Sequence, residues 1–304
     1  MSRPSDVLVL GATGQVGGAL LQALDAAGFP WRASTRSGQL PDGRPCARID
    51  LAETGSVAAA LATLRPALVI NATAYTAVDR AESEPALAQR INAEAVGELA
   101  EAAARIGARV VHYSTDYVFP GDATRPYRED DATGPVSAYG RSKRDGELAL
   151  AASGAEALTL RLAWVYAATG QNFPRTMLRV GAERDVLRVV ADQVGAPTPA
   201  HWIADATLRA IDAGVSGLYH LTPRGTTSWH GYAQAIFDGA VERGLLPRAP
   251  RVEAIISSEY PTPAARPAWS VLDSSKLERD AGVRLPDWRT GLDEVLDQLA
   301  AAAR

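Results

Sequence analysis

The sequence predicts an α/β protein, a Rossmann-type doubly wound parallel sheet with a smaller α/β C-terminal lobe. Three observations carry this. Short apolar strands alternate with longer helical patterns through the first half, which is the signature of βαβ units. A glycine-rich turn, Gly11-Ala12-Thr13-Gly14-Gln15-Val16-Gly17, stands directly between a strand and an amphipathic helix. Beyond about residue 165 the alternation loosens and glycine and proline become frequent, with Gly195, Pro197, Pro199, Pro223 and Pro247 among them. The expected division is a dinucleotide-binding unit in 1–165 and a mainly substrate-binding lobe in 166–304. Some chain is expected to cross back between the two.

The elements follow in order. Asp6-Val7-Leu8-Val9-Leu10 reads as a buried strand, and the helix after the turn puts Val16, Leu20, Ala23, Leu24 and Ala27 on one face. Gly28 sits where a helix C-cap belongs. Trp31 to Thr35 is the second strand and Ala67 to Ile70 a later one. An alanine-rich helix runs from about Pro85 to Ile106 and is stopped by Gly107. Arg109 to Ser114 is the next strand, and Leu158 to Leu162 follows a helix containing Tyr139 to Ala152.

Composition narrows the function classes. The 304 residues are 47% hydrophobic, enough for one large core or a core with a satellite. Net charge is -4 with no basic block, which argues against nucleic-acid binding. Apolar runs such as Ala67-Leu68-Val69-Ile70 are too short to span a bilayer, and Met1 to Asp6 carries no apolar leader. A cytoplasmic protein is expected. Cys46 is the single cysteine and the four histidines show no ligand spacing, so no metal site is expected. Of 31 basic residues only Lys143 and Lys276 are lysines, leaving 31 − 2 = 29 arginines. In so arginine-biased a chain, a retained lysine calls for a reason.

The glycine turn suits a dinucleotide. Gly11, Gly14 and Gly17 permit a tight turn and close approach to a pyrophosphate, with Thr13, Gln15 and Val16 in the same segment. The helix N-terminus offers N–H groups and partial positive charge to the phosphates. The second strand ends in Arg36-Ser37 with no carboxylate to hold a ribose 2′-hydroxyl. Arg36 can instead pair with a 2′-phosphate, so NADPH is the expected cofactor, with NADH as the alternative. A solvated surface arginine competes with this reading. Asp50-Leu51 is placed to meet the adenine, although Asp50 also suits a helix cap.

Tyr139-Gly140-Arg141-Ser142-Lys143 puts a phenol and an amine four residues apart, hence on one helix face. A phenol delivers a proton to a carbonyl oxygen if its pKa is brought down. Lowering it by about three units takes roughly 4 kcal/mol. One ammonium about 4 Å away supplies about that at intermediate dielectric. Thr115, at the carboxyl end of the strand Arg109 to Ser114, opens into the crevice where such sheets bind ligands and can hydrogen-bond a carbonyl. The plainer reading makes Ser114 and Thr115 turn formers. Thr115, Tyr139 and Lys143 together suit hydride transfer between a nicotinamide and a carbonyl or alcohol.

With these residues in hand, the chain resembles the extended short-chain dehydrogenase/reductase superfamily, and within it the dTDP-4-dehydrorhamnose reductases. The resemblance spans nearly the whole chain. Its more specific stretches are Asn71 to Glu82 and Asp192-Gln193-Val194-Gly195-Ala196-Pro197-Thr198. It implies NADPH-dependent reduction of the C4 ketone of a dTDP-sugar, dTDP-4-dehydro-β-L-rhamnose. In it Tyr139 gives the proton, Lys143 holds the nicotinamide ribose, and Thr115 binds the carbonyl. It further implies that Asn71, Ala72, Thr73 and Tyr75 border the cofactor, and that Val78, Asp116, Tyr117 and Trp164 contact the sugar. Arg266 reaches the diphosphate in this reading, or is a structural arginine between lobes; Trp164 is otherwise a core tryptophan. Some members are described as pairing through magnesium held by glutamates, one of them on the first helix. Ala19 stands in that slot, so a homodimer stays open and a magnesium bridge is not expected. The alternatives are a reductase or epimerase of another nucleotide-linked 4-keto sugar, and a non-catalytic NADP-binding subunit resembling the regulatory beta subunit of methionine adenosyltransferase.

Overall fold

A computed structural model describes residues 6–303. Met1 to Ser5, most of the segment read as lacking a leader, lie outside the described residues. The N-terminal half contains β1 (Val7–Leu10), α1 (Gln15–Ala26), β2 (Trp31–Thr35), β3 (Ala47–Arg48), α2 (Ser56–Leu64) and β4 (Leu68–Asn71). It continues through α3 (Val78–Ala81), α4 (Pro85–Gln89), α5 (Ala95–Ile106), β5 (Arg109–Thr115), α6 (Ala138–Ala152) and β6 (Ala157–Leu162). Then come β7 (Val165–Tyr166), α7 (Phe173–Glu183), β8 (Val186–Val190), β9 (Val194–Gly195), β10 (Thr198–Pro199) and α8 (Ala200–Asp212). The chain closes with β11 (Gly217–His220), β12 (Thr227–Ser228), α9 (Trp229–Glu242), β13 (Arg251–Ile255), α10 (Ser275–Ala281) and α11 (Trp288–Ala302).

Seven strands form one sheet in the order β11-β6-β5-β4-β1-β2-β3, every pair parallel. Alternation sorts each strand's side chains between two core layers. Val7 and Val9 join Leu20 and Leu24 of α1 and Trp202 and Ile203 of α8 on one face. Leu8 and Leu10 join Leu61 of α2 and Leu99 and Ala103 of α5 on the other. The strand order reverses between β1 and β4, and the crevice at such a switch point is where open α/β sheets bind ligands. Residues 165–303 supply three two-stranded pairings, β7 with β10, β9 with β12 and β8 with β13, and a separate core built on Tyr166, Tyr232, Ile236, Trp288 and Val295. They also return to the sheet, where β11 pairs with β6 as the edge strand.

The helix expected to run unbroken from Pro85 to Ile106 is interrupted. Arg90–Glu94 widens into a π-type turn between α4 and α5, a departure that recurs at functional sites. Asn92 lies in this turn, and its buried side-chain amide bonds the Tyr75 backbone and Ser142.

Candidate functional site

The carboxyl ends of β2, β1, β4 and β5, in that spatial order, lead into Arg36, Gly11, Ala72-Thr73 and Thr115. A Cβ on Gly17 would lie 2.1 Å from the Gly11 carbonyl oxygen, so α1 reaches the turn this closely only because no side chain intervenes. A Cβ on Gly11 would meet Thr73 Oγ1 at 2.7 Å, which shows how tightly the turns after β1 and β4 adjoin. Among the described residues no side chain caps α1 at Gly14, leaving its N-terminus free for an anion. Thr13 and Gly14 are exposed, and Gln15 and Val16 partly so. Gln15 accepts a hydrogen bond at 2.8 Å from Asn172, at the start of α7. Arg36 is exposed and has no ion-pair partner among the described residues. These features fit a dinucleotide phosphate chain with a further phosphate near Arg36.

Not every segment expected to border the cofactor offers its side chain. Leu51 is packed into the core, and Asp50 caps the next turn through Ala52 N at 3.0 Å. The Asn71 amide is buried: its Oδ1 accepts from Thr73 N at 3.1 Å and its Nδ2 faces His112 Nδ1 at 3.2 Å. The Tyr75 hydroxyl donates to Glu84 at 2.6 Å.

Tyr139 meets Thr115, and Lys143 follows one turn later on α6. Ser137 caps α6 by accepting from Gly140 N, and a Cβ on Gly140 would lie 2.3 Å from the Tyr117 carbonyl oxygen. That contact presses Tyr139 against the turn after β5, where its ring meets Tyr117 edge-on at 5.7 Å. Thr115 Oγ1 donates to Asp116 Oδ1 at 2.9 Å and accepts from Tyr117 N at 3.2 Å. Asp116 is buried with Oδ2 unpartnered among the described residues. Burial lifts its carboxyl to about 6, against hydrogen bonds from Ser270 and Thr115.

The expected lowering of the Tyr139 phenol is not found. Burial pushes it up to about 12; its hydrogen bond with Thr115 works against this and the Asp116 charge adds to it. Lys143 Nζ instead donates to the Tyr113 carbonyl at 2.6 Å and lies 3.4 Å from His112 Nε2. Its own pKa falls to about 8 through burial, with the Glu147 charge opposing.

A cleft of about 310 Å³ opens in the C-terminal lobe, lined by Phe173, Met177, Arg188, Gln193, Trp229, Tyr260 and Arg266 among others. Trp164 sits partly buried with φ at +46° and stacks flat on Trp229 at 3.6 Å. Arg266 bonds Asp79 at 2.8 Å, and Val78, partly buried, begins the same short helix. Sequence reasoning missed Asn92, His112, Arg188 and Trp229. Only Asn92 left a trace, as an amide amid alanines where helix propensity disfavours it.

A parallel sheet with a glycine turn at its switch point and a tyrosine–lysine pair beside it defines an NAD(P)H-dependent oxidoreductase of the short-chain dehydrogenase/reductase type. The family model described as RmlD substrate binding domain matches residues 5–301. The chain is 44% identical over 299 residues to dTDP-4-dehydrorhamnose reductase of Salmonella typhimurium, covering 97% of this chain and 98% of that one. It is 48% identical over 298 residues to the enzyme of the same name from Burkholderia thailandensis, covering 93% and 95%. The crystal structure of dTDP-4-dehydrorhamnose reductase from Bacillus anthracis in complex with NADP superposes with a TM-score of 0.88 at 31% identity, covering 97% of this chain and 100% of that one. The chain belongs to the dTDP-4-dehydrorhamnose reductase family. Among the described residues no helix is long and apolar enough to cross a membrane.

Proposed function

We propose that this chain reduces the C4 ketone of dTDP-4-dehydro-β-L-rhamnose, using NADPH, to give dTDP-L-rhamnose. The observation that supports the reading is the hydrogen bond between Tyr139 and Thr115 at the end of β5, with Lys143 one turn further along α6. When bound, the reduced dinucleotide supplies a hydride equivalent to the carbonyl carbon. Gly11, Thr13, Gly14, Gln15, Val16 and Gly17 hold its pyrophosphate, Arg36 its 2′-phosphate, and Ala72 and Thr73 border it.

Tyr139 is the proton donor to the carbonyl oxygen. A phenol held near 12 stays protonated at neutral pH, the state a reduction requires of its acid. An alkoxide is more basic still, so the transfer runs downhill. Thr115 orients the carbonyl through its hydroxyl, and Lys143 holds the ribose. Asp116 Oδ2, buried without a partner among the described residues, is an acceptor for a sugar hydroxyl. Trp164, backed by Trp229, offers an apolar wall to the 6-deoxy carbon, Val78 and Tyr117 complete the sugar site, and Arg266 reaches the diphosphate from the cleft wall.

The test is to incubate the purified chain with NADPH and the 4-keto sugar nucleotide, follow NADPH absorbance, and identify the product by NMR, with Tyr139→Phe alongside. NADPH consumption giving the L-rhamnose product, with Tyr139→Phe reduced by about a hundredfold or more, supports the reading. Tight NADPH binding without turnover on this sugar overturns it.

A further inference from the structure

His112 has no role in the reaction as derived above, yet it is a fully buried histidine in contact with Lys143. Its protonation pattern follows from its neighbours. Thr73 N–H donates to Asn71 Oδ1 at 3.1 Å, which fixes the amide so that its NH₂ end faces His112 Nδ1 at 3.2 Å. A ring nitrogen facing a donor must carry the lone pair, so the proton of the neutral imidazole sits on Nε2. That Nε2–H faces Lys143 Nζ at 3.4 Å. An amine can accept from it and an ammonium cannot. The Tyr113 carbonyl at 2.6 Å accepts from Nζ in either state.

We propose that Asn71 and His112 act as a positioning pair that sets the protonation of Lys143, by presenting it with an N–H rather than a lone pair. The amine form is thereby favoured, and Lys143 can take up and release a proton within the range where the enzyme works. Among the described residues the further charge acting on Lys143 is Glu147 on α6, already paired with Arg161 of β6 at 2.7 Å, and Tyr139 stands one turn before Lys143 on the same helix. Burial acts on His112 and Lys143 in the same direction, holding both below their ordinary values. The proposal rests on the reading of Lys143 as part of the reaction site, but its test needs no turnover.

The chain's two lysines make the measurement direct. With carbon-13-labelled lysine, NMR of the whole protein shows two side-chain signals, and Lys276→Arg assigns them. Nitrogen-15-labelled histidine reports the His112 tautomer. We expect an Nε2–H ring and a Lys143 midpoint near 8. His112→Gln offers Nζ an acceptor oxygen. Asn71→Asp offers the ring an acceptor, moving its proton to Nδ1 and turning the Nε2 lone pair toward Lys143. Both are expected to raise the Lys143 midpoint by about one pH unit or more; because Asn71→Asp also adds a charge, in that variant the nitrogen-15 signal must move to an Nδ1–H ring as well, and with that second readout it carries the test if His112→Gln does not fold. An Nδ1–H ring in the unsubstituted protein, or an unmoved midpoint in the folded variants, overturns the proposal. Failure to reduce the sugar nucleotide would overturn the proposed function and leave the titration to be read on its own.

Discussion

The guanidinium of Arg266 donates to the carboxylate of Asp79 at 2.8 Å, joining residues 187 positions apart in sequence. Asp79 also accepts from the Ala264 backbone at 3.2 Å, so the start of α3 and the segment before Arg266 share one anchor. This pair stands at the rim of the cleft and fixes where Arg266 points. Asp79→Asn is expected to raise KM for the sugar nucleotide several-fold with kcat nearly unchanged, which steady-state kinetics at saturating NADPH would check. The Arg266 guanidinium and the Ala264 N–H hold the Asp79 carboxyl below its ordinary value, although burial opposes them. The anchor is therefore complete at and above the ordinary carboxylate range and is lost only as pH falls through the lowered value. KM should be flat from mildly acidic to neutral pH in this respect.

Asp116 gives the opposite sign. Burial raises its carboxyl from 3.8 to about 6, so the folded state binds more protons than the unfolded one between these values. Stability from this group is thus lost as pH rises through that window, by roughly 3 kcal/mol in all. Asp116→Asn should raise Tm at neutral pH, leave it nearly unchanged at pH values below about 4, and still depress activity. Thermal melts at two pH values would check this, and an equal shift at both would contradict it.

Arg36 offers a charge to a 2′-phosphate from the end of β2. Arg36→Ala should raise KM for NADPH by about tenfold or more while leaving KM for NADH in place. Parallel kinetics with the two cofactors decide it.

Arg161 and Glu147 form a buried ion pair with contacts of 2.7 and 2.8 Å, and Arg161 also covers the Phe119 ring at 4.9 Å. Glu147→Gln leaves a buried guanidinium uncompensated and should cost about 3–5 kcal/mol. Replacing both by Met and Leu should cost far less, and denaturant midpoints separate the cases.

The strands near the glycine turn were legible because their apolar runs are short and bounded by turn residues. Trp31 to Thr35 matches β2 residue for residue. The spacing of Tyr139 and Lys143 was legible too, since it is local. What spacing could not give was the balance between burial and charge at Tyr139, where burial wins. The break at Asn92 was hidden because the partners of its amide, Tyr75 and Ser142, lie 17 and 50 residues away. The left-handed backbone of Trp164 left no trace either, and the ring it stacks on, Trp229, lies 65 residues on. Short β11, Gly217-Leu218-Tyr219-His220, has too few residues to show alternation.

That edge strand has a consequence for synthesis. A ribosome delivers β6 well before β11, and α1 nearly two hundred residues before Trp202 and Ile203 of α8 come to cover it. Until then β6 presents an unpaired edge and α1 a bare apolar face, the features that invite wrong partners. The N-terminal half of this chain must wait for the C-terminal half, and a product truncated after β6 should aggregate rather than bind cofactor on its own.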